Sequence, residues 1–253
     1  MAARLDGRTA IVTAAAGGIG GATVRRLAAD GAQTIIAVDI SPAALALVCE
    51  DAIRLGARAH AVVLDCTDGD AVAETFADIL ASRGPIDILV NLVGRSAQAK
   101  ASEFWESEPQ TWRGVLDMCL LSAMLCSRQV IPQMRERRAG KVVNISSDIA
   151  RRPDRGWVDY AAGKAGIIGF TRALAMEMAP FAVNVNAVAP GTIATNAIAK
   201  MPEAMMERMR ASIPMGDVGA PEDVANCIAF LVSDDSRYIT GQTIGINGGR
   251  TTT

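Results

Sequence analysis

Thr9-Ala10-Ile11-Val12-Thr13-Ala14-Ala15-Ala16-Gly17-Gly18-Ile19-Gly20 is the stretch whose reading decides the fold. The run Thr9 to Thr13 is apolar and β-branched, and reads as a short buried strand. Small residues and glycines follow, and from about residue 19 to 30 the pattern turns helical. Glycine lets the backbone approach a ligand closely, and a helix N-terminus offers free N–H groups and the positive end of a dipole. The turn is therefore a candidate pyrophosphate cradle, with Thr13, Ala15, Gly18, Ile19 and Gly20 as its cofactor-binding residues. Loops often carry glycine, so the weight lies in the order strand, turn, helix.

Outward from this unit, strands and helices alternate. Strands are expected at 33–39, 59–65, 86–90, 140–146, 183–189 and 243–246. Between them, Ser41-Pro42 opens a helix as N-cap and first residue, and 69–83 is a helix closed by Gly84-Pro85. Residues 103–137 are mostly helical, and a further helix spans about 157–179. Near-continuous apolar strands separated by helices imply a doubly wound α/β fold. The expectation is a seven-stranded parallel sheet with helices on both faces, Rossmann-like. With no repeat or linker in view, residues 1–253 are expected to form one domain.

The chain has 253 residues, 50% of them apolar, enough for a sizeable core. A net charge of -2 gives no pull toward nucleic acid or an anionic membrane. The five cysteines, Cys49, Cys66, Cys119, Cys126 and Cys227, show neither zinc-type nor C-x-x-C spacing, which fits a reducing compartment. The N-terminal residues lack a signal-peptide pattern and no apolar run looks long enough to span a bilayer, so the expectation is cytoplasmic. His60 is the only histidine. It lies in a strand-like run away from the other motifs and reads as structural. A histidine-rich metal site is thereby excluded, no metal is expected, and a Ser-His-Asp hydrolase is disfavoured.

Asp39 ends the second strand, nineteen residues after Gly20. An acid there can accept hydrogen bonds from both ribose hydroxyls of NAD and would repel a 2′-phosphate. No Lys or Arg lies within 14–18 or at Ile40, so NAD is expected over NADP. A solvated strand-end carboxylate is the plainer alternative. Asp65-Cys66 and Asn91 to Gly94 end the third and fourth strands, where open α/β sheets bind ligands.

Tyr160-Ala161-Ala162-Gly163-Lys164 places a phenol and an ammonium at i and i+4, on one helix face. An adjacent ammonium stabilises a phenolate and lowers the tyrosine's pKa. Ser147 stands thirteen positions earlier, after the strand Lys141 to Ser146, so all three can converge on one carbonyl.

The features together, from the Gly-rich turn at 13–20 through Asp65, Asn91 with Gly94, Ser147, and Tyr160 with Lys164 to Pro190-Gly191 with Thr192 and Thr195, resemble the short-chain dehydrogenase/reductase family over nearly the whole chain. The resemblance implies NAD(P)-dependent hydride transfer between a secondary alcohol and a ketone, by a protein that is usually a tetramer. It implies Tyr160 as general acid/base, Lys164 as the residue that lowers the tyrosine's pKa and bonds the nicotinamide ribose, and Ser147 as donor to the substrate oxygen. Pro190, Gly191, Thr192, Ile193 and Thr195 correspond to the segment that holds the carboxamide. The segment 193–216, with Met201, Met205, Met206, Met209 and Met215, corresponds to a substrate lid. A helix merely burying its apolar stripe reads equally well.

Three positions depart from the family pattern. Ala14 replaces the first glycine, which is tolerable if that residue keeps an ordinary φ. Leu92-Val93 replaces Asn-Ala. Cys119 replaces an asparagine thought to hold a relay water beside the lysine, and reads as a neutral helix residue.

The loop between Ser147 and Tyr160 carries Arg151, Arg152, Arg155 and Trp157. Asp148, Arg152 and Trp157 are its candidate substrate contacts. The arginines could meet an anionic substrate group, or simply pair with Asp148 and Asp154. The leading reading is an NAD-dependent alcohol dehydrogenase or ketone reductase whose substrate is a small molecule, a hydroxy acid or acyl thioester. Reduction of 3-oxoacyl thioesters and oxidation of sugars or steroids share most of these features. A nicotinamide-binding protein with little catalysis is the rival from another class, motivated by Cys119 and Leu92.

Overall fold

The computed structural model describes residues 4–95, 102–195 and 203–252. Seven strands form one sheet: β1 (Thr9–Thr13), β2 (Thr34–Asp39), β3 (Arg58–Val63), β4 (Ile88–Asn91), β5 (Gly140–Ile145), β6 (Val183–Pro190) and β7 (Thr243–Ile246). Their order is β3-β2-β1-β4-β5-β6-β7 and every pairing is parallel. The order reverses at β1, which pairs with β2 on one side and β4 on the other. Beyond the carboxyl ends of β1 and β4 this reversal opens a crevice.

Helices cover both faces, as expected. On one side lie α1 (Gly18–Ala29), α2 (Pro42–Arg54) and α8 (Pro221–Val232), which bury Val24, Leu27, Leu45, Val224 and Ile228 against Ala10, Val12 and Ile35. On the other lie α3 (Gly69–Arg83), α5 (Ser122–Arg137) and α6 (Val158–Met178), which bury Phe76, Val130, Met134 and Ala175 against Ile11, Leu89 and Val142. Alternate residues of one strand thus serve opposite layers, which is why the strands read as unbroken apolar runs.

The differences from the sequence reading are local. β3 stops at Val63 because Asp65 turns the chain, accepting from Thr67 N at 2.9 Å and Thr67 Oγ1 at 2.7 Å. Residues 103–137 are not one regular helix: a short 3₁₀ turn Phe104–Glu106 precedes α4 (Pro109–Leu116), and a π-turn at Asp117–Leu121 joins α4 to α5. Helix α8 was not anticipated, although Pro221 starts it and Asp223 reaches back to Ala220 N at 2.8 Å. The run Pro109–Arg137 also corrects the expectation about bilayer-spanning length. It is 29 residues long and contains an 18-residue window with a mean hydropathy of 1.4. It packs against α3 and α6 within the fold.

Candidate active site

Each functional side chain stands at the carboxyl end of a strand or on the helix behind it. Ser147 follows β5 with extended backbone, and its Oγ has two acceptors at 3.4 Å, Asp148 Oδ1 and Pro190 O. Tyr160 lies in the first turn of α6, with its hydroxyl close enough to Ser147 for the serine to oppose the upward shift of its pKa. Lys164, one turn on, is fully buried, with Nζ donating to Ile145 O at 3.0 Å and standing 5.7 Å from the centre of the Tyr160 ring. The three residues that the sequence placed together are therefore gathered in one site.

Burial sets the charges. It pushes the Tyr160 hydroxyl above its ordinary value, and the Ser147 hydrogen bond only partly opposes this. The lowering expected from Lys164 alone does not prevail in this enclosed site. Burial also lowers Lys164, against a pull upward from Cys119. The Cys119 thiol lies in the π-turn, buried, 3.6 Å from Arg95 O. Burial raises its pKa, so it stays a neutral thiol, as expected for a helix residue.

Two glycines show how closely the segments around the crevice approach one another. A Cβ on Gly94 (φ 149) would stand 2.6 Å from Lys164 Nζ and 3.4 Å from Cys119 Sγ. A Cβ on Gly18 would meet Thr195 Cγ2 at 3.0 Å, so the Gly-rich turn and the segment after β6 face each other. Pro190 ends β6, Gly191 N donates to Ile246 O at 2.9 Å, Thr192 O accepts from Gly219 N at 3.0 Å, and buried Ile193 pairs with Gly219. These residues fit a nicotinamide dinucleotide, with the diphosphate at the α1 N-terminus and the ring near Lys164. Among the described residues no acidic, histidine or cysteine cluster could hold a metal ion.

Other expected contacts are engaged internally. Thr13 Oγ1 accepts from Leu92 N at 3.0 Å and donates to Val90 O at 3.4 Å, tying β1 to β4. Asn91 turns its amide into the core, donating to Asn144 Oδ1 at 2.9 Å and Ser127 Oγ at 3.1 Å, and Asn144 passes the chain on to Thr171. The buried Cys66 thiol contacts Cys126 on α5. Asp39 accepts from Ala16 N at 3.1 Å and Ser41 N at 3.0 Å, while Ile40 is exposed. Asp39 is thus tied to the Gly-rich turn, which the solvated alternative did not foresee.

The arginine loop corrects one reading. Asp148 and Asp154 do not pair with Arg151, Arg152 or Arg155. Arg250 takes both, at 3.2 and 3.4 Å. Arg151 donates to Thr243 O at 3.2 Å, Arg155 pairs with Glu103, and Arg152 is exposed. Trp157 packs edge-on to Tyr160, ring centres 6.3 Å apart. Arg250 went unnoticed because nothing in the Asn247-Gly248-Gly249-Arg250 run points to a partner a hundred residues away. In the lid segment Met201 falls outside the described residues. α7 (Glu203–Ala211) carries buried Met206 and exposed Met205, and Met215 is exposed.

Comparison with known proteins agrees with the geometry. The family profile described as enoyl-(acyl carrier protein) reductase matches residues 13–251. The chain is 40% identical to the 3-oxoacyl-(acyl-carrier-protein) reductase FabG of Thermotoga maritima over 246 residues, covering 97% of this chain and 98% of that one. It is 37% identical to the FabG of Aquifex aeolicus, covering 98% and 99%. The crystal structure of 3-oxoacyl-(acyl-carrier protein) reductase from Brucella melitensis superimposes with a TM-score of 0.89 at 34% identity, over 97% of this chain and 92% of that one. With Ser147, Tyr160 and Lys164 gathered at the end of a glycine-lined crevice, the chain belongs to the short-chain dehydrogenase/reductase family: it is an oxidoreductase that uses a nicotinamide cofactor to interconvert a ketone and an alcohol.

Proposed function

We propose that the chain is an NADH-dependent reductase of 3-oxoacyl thioesters. The observation that carries the reaction type is the contact of Ser147 and Tyr160 above buried Lys164. When bound, the nicotinamide supplies the hydride. Tyr160 Oη gives its proton to the ketone oxygen, Ser147 Oγ donates to the same oxygen as charge develops, and Lys164 steadies the phenolate that forms. Burial raises the Tyr160 hydroxyl, so the proton it donates in the reduction is present at neutral pH.

The substrate class rests on the names of the relatives and on the exposed arginine beside the pocket. In this reading Arg152 meets an anionic group, Trp157 covers the acyl chain, and Asp148 acts behind Ser147. α7 and the residues up to Met215 serve as an adaptable lid. The preference for NAD rests on Asp39: an ionised carboxylate has about four acceptor sites, two are used, and the rest suit a ribose diol but not a phosphate. Asp65, Cys66, Asn91 and Ile40 border the adenosine half largely through backbone, and Gly94 borders the ring end beside Lys164.

Exposed Leu116, Leu121 and Met124 on α4 and α5, with Val158 and Met176 on α6, make an apolar face suited to other copies of the chain, as in a homotetramer. Five free cysteines, four of them buried, suit a reducing cytoplasm.

Initial rates with NADH and NADPH, on a 3-oxoacyl thioester and on neutral and carboxylated ketones, test the reading. We expect the thioester to be reduced, NADH to be preferred, and Tyr160→Phe to abolish turnover. An inert thioester beside an active simple ketone would overturn the substrate class. Saturable NADH binding with no turnover on any ketone would favour the binding-protein reading.

A further inference from the structure

Arg250 belongs to none of the motifs that define the site, yet it touches the loop that carries them. It sits on a turn after β7, built by Asn247, whose Nδ2 donates to Thr251 Oγ1 at 2.6 Å and whose Oδ1 accepts from Gly249 N at 3.1 Å. Gly248 and Gly249 take positive φ of 60° and 85° there, which turns the arginine back over the sheet. Its Nη1 reaches Asp148 Oδ2 at 3.2 Å and its Nη2 reaches Asp154 Oδ2 at 3.4 Å. Asp148 is buried and follows Ser147 directly, and Asp154 lies on the loop that leads to Trp157 and Tyr160. One guanidinium thus braces both approaches to the catalytic pair. The same turn accepts Met215 N through Gly248 O at 3.0 Å, at the end of the lid segment.

Ser147 has one hydroxyl proton and two acceptors at equal distance, Asp148 Oδ1 and Pro190 O. A bare carboxylate is a stronger acceptor than a ketone oxygen and would keep that proton. A guanidinium on its other oxygen draws charge away and fixes the carboxylate plane. We propose that Arg250 is a positioning residue for Ser147, acting through Asp148 so that the serine proton remains available to the substrate oxygen. The inference rests on the ketone-reductase reading.

The groups facing Asp148 are few: Ser147 beside it, Arg250 and Asp154 around it, and Tyr160 from α6. Burial pushes the Asp148 carboxyl up and Arg250 pulls it down. Without Arg250 that downward pull is lost and the carboxyl rises further. Where Asp148 is then ionised it holds the serine proton, and where it is protonated it donates to Ser147 Oγ and frees that proton.

The test is steady-state reduction by wild type, Arg250→Met, Arg250→Lys and the double variant Asp148→Asn with Arg250→Met, alongside thermal melts. We expect Arg250→Met to lower kcat about tenfold at neutral pH, less than outright loss of an oxyanion donor, which costs roughly 10²–10³-fold. KM for NADH should stay within about twofold, because no cofactor contact is touched. The ratio of Arg250→Met to wild-type kcat should rise on acidification from about pH 8 to about pH 5.5. Arg250→Lys should recover part of kcat, and the double variant most of it. An unchanged kcat in Arg250→Met would overturn the inference, as would a loss that neither pH nor the second substitution moves and that follows the melting temperature. A wild type with no ketone turnover would instead overturn the reading beneath it.

Discussion

Ala14 carries a backbone conformation that side chains avoid. Its φ is 51°, where the sequence reading had allowed for an ordinary value. The reason is packing: Ala14 O accepts from Gly17 N at 3.1 Å and lies where a Cβ on Gly20 would come within 2.0 Å. The turn therefore folds tightly onto α1, and the methyl pays with strain of about 1–2 kcal/mol. Glycine would remove that strain and add about 0.5–1 kcal/mol of unfolded-state entropy. Ala14→Gly should thus stabilise the chain by up to about 1 kcal/mol in chemical denaturation; a destabilised variant would refute the strain. Lys164 is the second residue held against its preference. Burial lowers its pKa, so folding disfavours its protonated form. The wild type therefore gains stability as pH rises toward the lysine's ordinary value of 10.5. Lys164→Met should be inactive yet more stable by about 1–3 kcal/mol at neutral pH. That advantage should shrink as pH climbs toward 10.5. Melting curves against pH would check both the sign and the trend. At this scale Tyr160, Lys164 and Ser147 were legible because their chemistry follows from type and spacing. Arg250 and the φ of Ala14 were not, because both depend on what folds against them.

Strands and helices were read more easily than their ends. Apolar runs marked the inner strands, since β1, β2, β4 and β6 are buried on both faces. What escaped was the break between α4 and α5, where the π-turn swings Cys119 toward Lys164. Such a bulge has no residue signature, and π-turns inside helices frequently mark functional sites. The same pair of helices explains its own apolarity. By composition α4 and α5 resemble a membrane span, yet one side packs on the protein and the other shows Leu121 and Met124. If that side is an interface, Leu121→Arg with Met124→Glu should shift the sedimentation coefficient toward the monomer and leave α6 folded. An unchanged assembly, or a wild type already monomeric, would remove the interface from this face.

Across the whole molecule the sheet decides where ligands go. The reversal at β1 sets the Gly-rich turn, Asp39 and Gly94 around one crevice, and the strands β5 and β6 bring Ser147 and the Pro190 segment to its far end. In the proposed reading Asp39 carries the preference between the two nicotinamide cofactors. Asp39→Ala should weaken NADH binding by about 1.5–3 kcal/mol, the worth of hydrogen bonds to a charged group, and narrow the gap to NADPH. Titration with both cofactors reads this directly, and an unaltered ratio would release Asp39 from that role.

The sheet order also has a consequence for the chain while it is being made. β1 acquires its partner β2 early, but its other edge waits until Ile88–Asn91 has been synthesised. The finished edges, β3 and β7, are the least buried strands of the sheet. The free edge of buried β1 is therefore exposed only in the nascent chain. Slowing translation between β3 and β4 should favour aggregation, whereas a pause after β4 should be harmless.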